Sequence, residues 1–247
     1  LRIDLLISSR LFLKNRNPIM AAKKLTLHHL EYSQSFRILW LLEEMGLPYE
    51  LKSYNRDPVS VLAPAEYKAI SPIGTAPVIT HGKIALAESS AIMDYLADLS
   101  PDCGLRPEVG HKDRMRYLFW FHAAQGSMTP ILLMQTVLRM TAERVPFFLR
   151  PMAKMITAGL TKGFIQPRLF ALLDQAEADL SKTKYFGGSA LSLADILIIY
   201  NIEGTASRGL LDGYPNLQEW LDRMRARPAF QAATKLDDRP SMILPSK

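Results

Sequence analysis

Cysteine is almost missing from this chain: Cys103 is the only one in 247 residues. That excludes an intrachain disulfide and any metal site built from several thiolates. Histidine is scarce as well, five in all. The one adjacent pair, His28-His29, lies in an alternating stretch where neighbours point to opposite faces, so it cannot chelate one ion. No apolar run reaches the roughly 18 residues of a membrane-spanning helix. A concentrated positive stripe is also absent. The formal charge is +6 and the isoelectric point about 9.4, but Lys and Arg are scattered without interleaved aromatics, which argues against a nucleic-acid surface. A reducing compartment, the cytosol, is the expectation for such cysteine usage.

What is present is an ordinary globular composition, 48% hydrophobic and 22% charged, in a length that suits two modest domains. "LRIDLLISSRLFLKNRNPIM" carries several Arg and Lys and one acid, in the manner of a presequence. Met20 before "AAKKLTLHHL" reads as a natural start, however, so residues 1–22 are taken as an upstream extension outside the fold. "KLTLHHL" alternates as a half-buried strand, and "SQSFRILWLLEEMG" has helical spacing. Gly46 is placed as that helix's C-cap and Pro48 prevents its continuation. "YELKSYN" is a second strand, which completes a right-handed βαβ unit.

An irregular or helical link over 58–69 leads to "SPIGTAPVITHGKIALAESSAIMDYL". This predicts a turn at Pro72 and Gly74, a strand opened by Pro77, a His81-Gly82 turn, a return strand and a helix started by Glu88-Ser89. Proline is tolerated at a strand's first position because its missing N–H need not join the ladder. A tight X-Pro bond such as Ala76–Pro77 is also where a cis peptide occurs. Ser89 is placed to cap the helix, whose first N–H groups would attract an anion. Residues 23–99 therefore read βαβ then ββα, an α/β domain of thioredoxin-like order. A linker over 100–110 follows, and 111–236 predicts helices only. Within it "SLADILIIYNIEGTA" is central and opens on a Ser192–Asp195 capping box, while Trp220 and Phe230 read as core. Residues 237–247 are a tail.

The strings "SQSFRILWLLEEMGLPYE", "SPIGTAPVI", "LAESSAIMDYL", "SLADI" and "YPNLQEWLDRMRARPAF" stand in the order found in cytosolic glutathione transferases. From Lys23 to about Ala233 the chain resembles that family, and through "FWFHAAQGSMTPIL" a subgroup found in fungi and bacteria. The resemblance implies a thioredoxin-like domain followed by an all-α bundle, a homodimer, and no metal. It also implies glutathione as co-substrate and a small hydrophobic electrophile or hydroperoxide as its partner.

The site residues follow from the same resemblance. The backbone of Ala76, before a cis Pro77, pairs with the cysteinyl part of glutathione, and Glu88 and Ser89 hold the γ-glutamyl end. Ser33 in "HHLEYSQSFR" resembles the thiol-activating serine of the Ser-type members, with Tyr32 as runner-up. A plain helix N-cap is the competing role for Ser33. His29 stands where the Tyr-type classes carry their tyrosine. Arg56 is positioned either to reach the glycyl carboxylate or to remain a solvated loop residue. Tyr117, Phe121 and Met128 are candidates for the electrophile pocket. "VPFFLRPMAKMITAGLTKGF" is apolar and basic, and an inter-helix packing face is favoured over contact with a membrane surface. The competing function is a non-catalytic binding or assembly module of the same fold. The isomerase branch is disfavoured because Gln34 stands near where its cysteine would fall. Thiol–disulfide exchange is disfavoured because Cys103 lies in the linker.

Overall fold

Leu25–Leu30 form the first strand, β1, and it is buried nearly throughout. The computed structural model describes residues 24–71 and 73–237; the extension over 1–22, Pro72 of the predicted turn and all but the first residue of the tail lie outside these. The burial of β1 differs from the half-buried strand its alternation predicts. The reason is its place in the four-stranded sheet, whose order is β2-β1-β3-β4. Inner strands with both faces covered lose the polar-out signature.

The described residues up to Gly104, with those from Ala232 on, form the first of two units. Helix α1 (Ser35–Met45) ends at Gly46, whose φ of 59° is left-handed and whose N–H bonds the Glu43 and Leu42 carbonyls, the C-cap that the sequence predicts. β2 (Glu50–Tyr54) pairs parallel with β1. A one-turn helix, α2 (Ala65–Lys68), brings Tyr67 into a cluster with Leu30, Tyr54, Ala63 and Val78. β3 (Val78–His81) runs antiparallel to β1, β4 (Ile84–Ala87) antiparallel to β3, and α3 (Ser89–Leu99) follows. In register, His28 faces Val78 and Val78 faces Ala87. The end of β1, the start of β3 and the start of α3 therefore meet at one end of the sheet.

The second unit runs from Leu105 to Gln231. α4 (Arg114–Ala123) passes through a wide helical turn, Ala124–Met128, into α5 (Thr129–Arg144). α6 (Arg150–Leu160) passes through a second, Thr161–Ile165, into α7 (Gln166–Leu180). α8 (Leu193–Ala206) is almost entirely buried and opens on the predicted capping box. The Asp195 carboxylate there accepts bonds from Trp220 Nε1 (2.9 Å), the Phe186 N–H (2.8 Å) and the Ser192 N–H (3.0 Å) and hydroxyl (2.8 Å). Burial pushes its pKa up while those four donors pull it down. α9 (Pro215–Arg225) carries the fully buried Trp220, and Phe230 is buried as expected in α10 (Pro228–Leu236). From Ala232 onward, however, the chain belongs with the first unit, which a continuous helical segment to 236 does not anticipate.

Candidate active site

Where the chain leaves β1 it must turn sharply into α1, and Tyr32 makes that turn with φ at 50°, an uncommon conformation for a bulky residue. Ser33 follows. Its Oγ donates to the Leu30 carbonyl (2.6 Å), lies 2.7 Å from Ser35 Oγ and accepts the Ser35 N–H (3.2 Å). Ser35 Oγ in turn accepts the Leu30 N–H (3.2 Å) and lies 2.9 Å from His29 Nδ1. Gln34, not Ser33, holds the N-cap position, and its side chain makes no capping bond. Ser33 nevertheless takes the first helical N–H, so the capping role is displaced by one residue and not lost.

Arg56 braces this turn. Its Nε, Nη1 and Nη2 donate to the carbonyls of Glu31 (3.0 Å), Val61 (3.1 Å) and Tyr32 (3.1 Å), and its own N–H donates to Glu31 Oε1 (2.6 Å). Clamping the loop that carries Ser33 is a task additional to the two readings of Arg56 from sequence, a carboxylate grip or a solvated loop position.

At the same end of the sheet the Ala76–Pro77 peptide is cis, as expected. Across from it, Glu88 has φ 73° and ψ 120°, which costs a non-glycine residue on the order of 1–3 kcal/mol. Ser89 does not cap α3, contrary to the sequence expectation. It is the first helical residue, one place too far in, and its hydroxyl is buried with no hydrogen-bond partner. An orphaned buried hydroxyl costs roughly 1–3 kcal/mol. Strain and an unsatisfied hydroxyl thus coincide at the N-terminus of an eleven-residue helix, whose free N–H groups favour an anion.

Tyr117, Phe121 and Met128 are only 1–3% exposed, and the Tyr117 and Phe121 rings stack at 5.4 Å. They are packed in the interior of the second unit, where an apolar helical stripe is first of all a packing stripe. A cavity of about 260 Å³ in the second unit, with Asp212, Asp222 and Arg225 on its wall, includes none of the expected site residues.

Two residues to which sequence reasoning gives no role, His29 and Asp237, also meet near Ser33. His29 Nε2 lies 3.4 Å from Asp237 Oδ1, and both side chains are about 5% exposed. No spacing rule links positions so far apart in the chain. Among the described residues no group of His, Cys, Asp or Glu could hold a metal ion, and no helix is long and apolar enough to cross a membrane.

Residues 33–99 match the glutathione S-transferase N-terminal domain and residues 165–228 its C-terminal domain. The first match contains Ser33, Arg56, Ala76, Pro77, Glu88 and Ser89. Glutathione S-transferase 3 of Schizosaccharomyces pombe is 30% identical over 87% of this chain and 88% of its own. Glutathione S-transferase 1 of Saccharomyces cerevisiae is 27% identical over 87% of this chain and 95% of its own. Among solved structures, a glutathione S-transferase from Actinobacillus pleuropneumoniae superposes with a TM-score of 0.71 at 25% identity, over 88% of this chain and 95% of that one. With both domain signatures in order and relatives matched over nearly their full length, the chain belongs to the glutathione S-transferase family.

Proposed function

We propose that this glutathione transferase ionises the glutathione thiol with Ser33 and directs it at electrophilic carbon, with hydroperoxide reduction as a second use of the same thiolate. Binding falls to the other residues at that end of the sheet. The Ala76 backbone pairs with the extended tripeptide as an added strand would. Ser89 and the first N–H groups of α3 take the γ-glutamyl carboxylate, and exposed Glu88 pairs with the ammonium. The observation that carries this reading is the buried, partnerless hydroxyl of Ser89 at the N-terminus of α3.

The energetics are sufficient. An ordinary thiol with pKa about 8.5 is only a few per cent thiolate at neutrality. Lowering it by about two units requires roughly 2.7 kcal/mol. One charge-assisted hydrogen bond supplies about 1.5–3, and a nearby helix N-terminus a few tenths to about 1. The gain from population alone stops near thirtyfold, where the thiol is fully ionised, and it is smaller still because a more acidic thiol is a weaker nucleophile. Positioning must supply the remainder.

A small hydrophobic electrophile, a homodimeric state and a cytosolic setting complete the reading, the last consistent with the lone thiol of Cys103. Retention on immobilised glutathione together with turnover of a generic aryl halide is the expected outcome. Retention without turnover across a broad electrophile panel would favour a binding module of the same fold.

A further inference from the structure

Building on the assignment of Ser33, we propose that Ser33 is the near end of a buried proton relay, Ser33–Ser35–His29–Asp237, which carries the thiol proton to the His29 imidazole. The distances along it are 2.7 Å from Ser33 Oγ to Ser35 Oγ, 2.9 Å from Ser35 Oγ to His29 Nδ1, and 3.4 Å from His29 Nε2 to Asp237 Oδ1. All four residues are buried, Ser35 completely. All four belong to the first unit. Four polar side chains in single file are costly to bury for packing alone.

The hydrogen count closes. The neutral His29 ring keeps its hydrogen on Nε2, which lies 3.4 Å from Asp237 Oδ1 in ion-pair range without a formed hydrogen bond, and leaves the Nδ1 lone pair for the Ser35 hydroxyl. Ser35's own lone pairs take the Leu30 N–H and, when Ser33 turns its hydrogen from the Leu30 carbonyl, the Ser33 hydrogen. Ser33 keeps one lone pair on the Ser35 N–H and one for an arriving thiol. Its single hydrogen has two acceptors in reach, the Leu30 carbonyl and Ser35 Oγ.

When the thiol donates to Ser33 Oγ, Ser33 passes its own hydrogen to Ser35, and Ser35 passes its hydrogen to Nδ1. One S–H bond breaks and one N–H bond forms. Each hydroxyl gives and receives one hydrogen, so Ser33 ends with its O–H aimed at the new thiolate. The imidazolium is balanced by Asp237. His29 and Asp237 never touch the substrate; they are positioning residues that provide the destination of the proton.

Other charged or titratable groups near β1 make bonds of their own. The His28 ring, on the opposite face of the strand, bonds Tyr54 and Thr80. Glu31 Oε1 takes the Arg56 N–H, and Arg37 of α1 donates to Gln34.

The test uses the full chain and two readouts: the pH profile of kcat/KM, and the ultraviolet absorbance of bound thiolate. Asp237→Asn and His29→Gln should each raise the apparent pKa of the bound thiol by about one unit. Each should lower kcat/KM below neutrality about tenfold, with KM for glutathione little changed. Asp237→Asn placed on top of Ser35→Ala should add no further shift, because the link to Ser33 is already cut. Asp237→Asn alone suffices should the His29 variant fail to fold. An unmoved pKa in Asp237→Asn, or shifts that simply add, would overturn the relay. If Ser33→Ala still raises the pKa in that case, Ser33 stands and only the relay falls; if Ser33→Ala is silent, both fall.

Discussion

Ser89 is an expensive residue for a protein that binds nothing. Its hydroxyl is buried without a partner while Glu88 beside it holds φ at 73°. Ser89→Ala removes the orphan, so the melting temperature of the free protein should stay level or rise slightly. Glutathione affinity should nevertheless fall at least about tenfold, the worth of one hydrogen bond to a charged group. Thermal melts with and without glutathione check both halves: the ligand-induced rise seen in the parent should shrink in the variant. An equal loss of stability without ligand would mean that the hydroxyl has a structural partner. Ser89 and Ser33 were legible as residue types in the right strings. The cap geometry was not, because whether a serine falls at the N-cap or one residue inside it depends on where the preceding strand delivers the chain. Arg56 was legible only as a cation after a strand; that it faces the carbonyls of Glu31, Tyr32 and Val61 follows from loop packing, which has no period in sequence.

Among the elements, α8 is the one whose start the sequence specifies best. Ser192 and Asp195 form the predicted box, and Asp195 also gathers Trp220 and Phe186. Asp195→Ala would leave several buried donors without an acceptor, and it should cost about 3–5 kcal/mol of unfolding free energy. Urea denaturation with an unchanged slope is the check. β1 was legible as a strand but not as a strand covered on both faces, since alternation reports one buried face and misses a helix laid over the other. Its His28 gives the strand a pH dependence. Burial, with Lys52 second, holds the ring below its ordinary value of 6.5. As pH falls through that value the unfolded chain binds a proton that the folded ring still refuses, so stability decreases in the acid window below it and is full above. His28→Gln should flatten the slope of stability against pH over that window, as measured by denaturation at a series of pH values. A slope unchanged by the substitution would place the titrating group elsewhere.

For the whole molecule, the order of five short motifs was enough to read two domains and the family, because order across 200-odd residues is far more specific than any one motif. The return of the chain from Ala232 to the first unit was not readable, and with it went Asp237, the far end of the relay. A homodimer is the proposed assembly: with 27.8 kDa per chain, light scattering at micromolar concentration should give twice that mass, and a monomer mass would contradict it. Tyr32→Phe should be nearly silent in turnover, while Ser33→Ala should lose about tenfold or more in kcat/KM near neutrality, at least about 1.4 kcal/mol of transition-state stabilisation. Whether Ser33 ionises the bound thiol is tested most directly by titrating the thiolate absorbance of the glutathione complex in the parent and in Ser33→Ala. The parent should titrate about two units below an ordinary thiol's 8.5, and the variant should move back up by at least about one unit with glutathione affinity little changed. An identical pKa in the two proteins would contradict the assignment of Ser33.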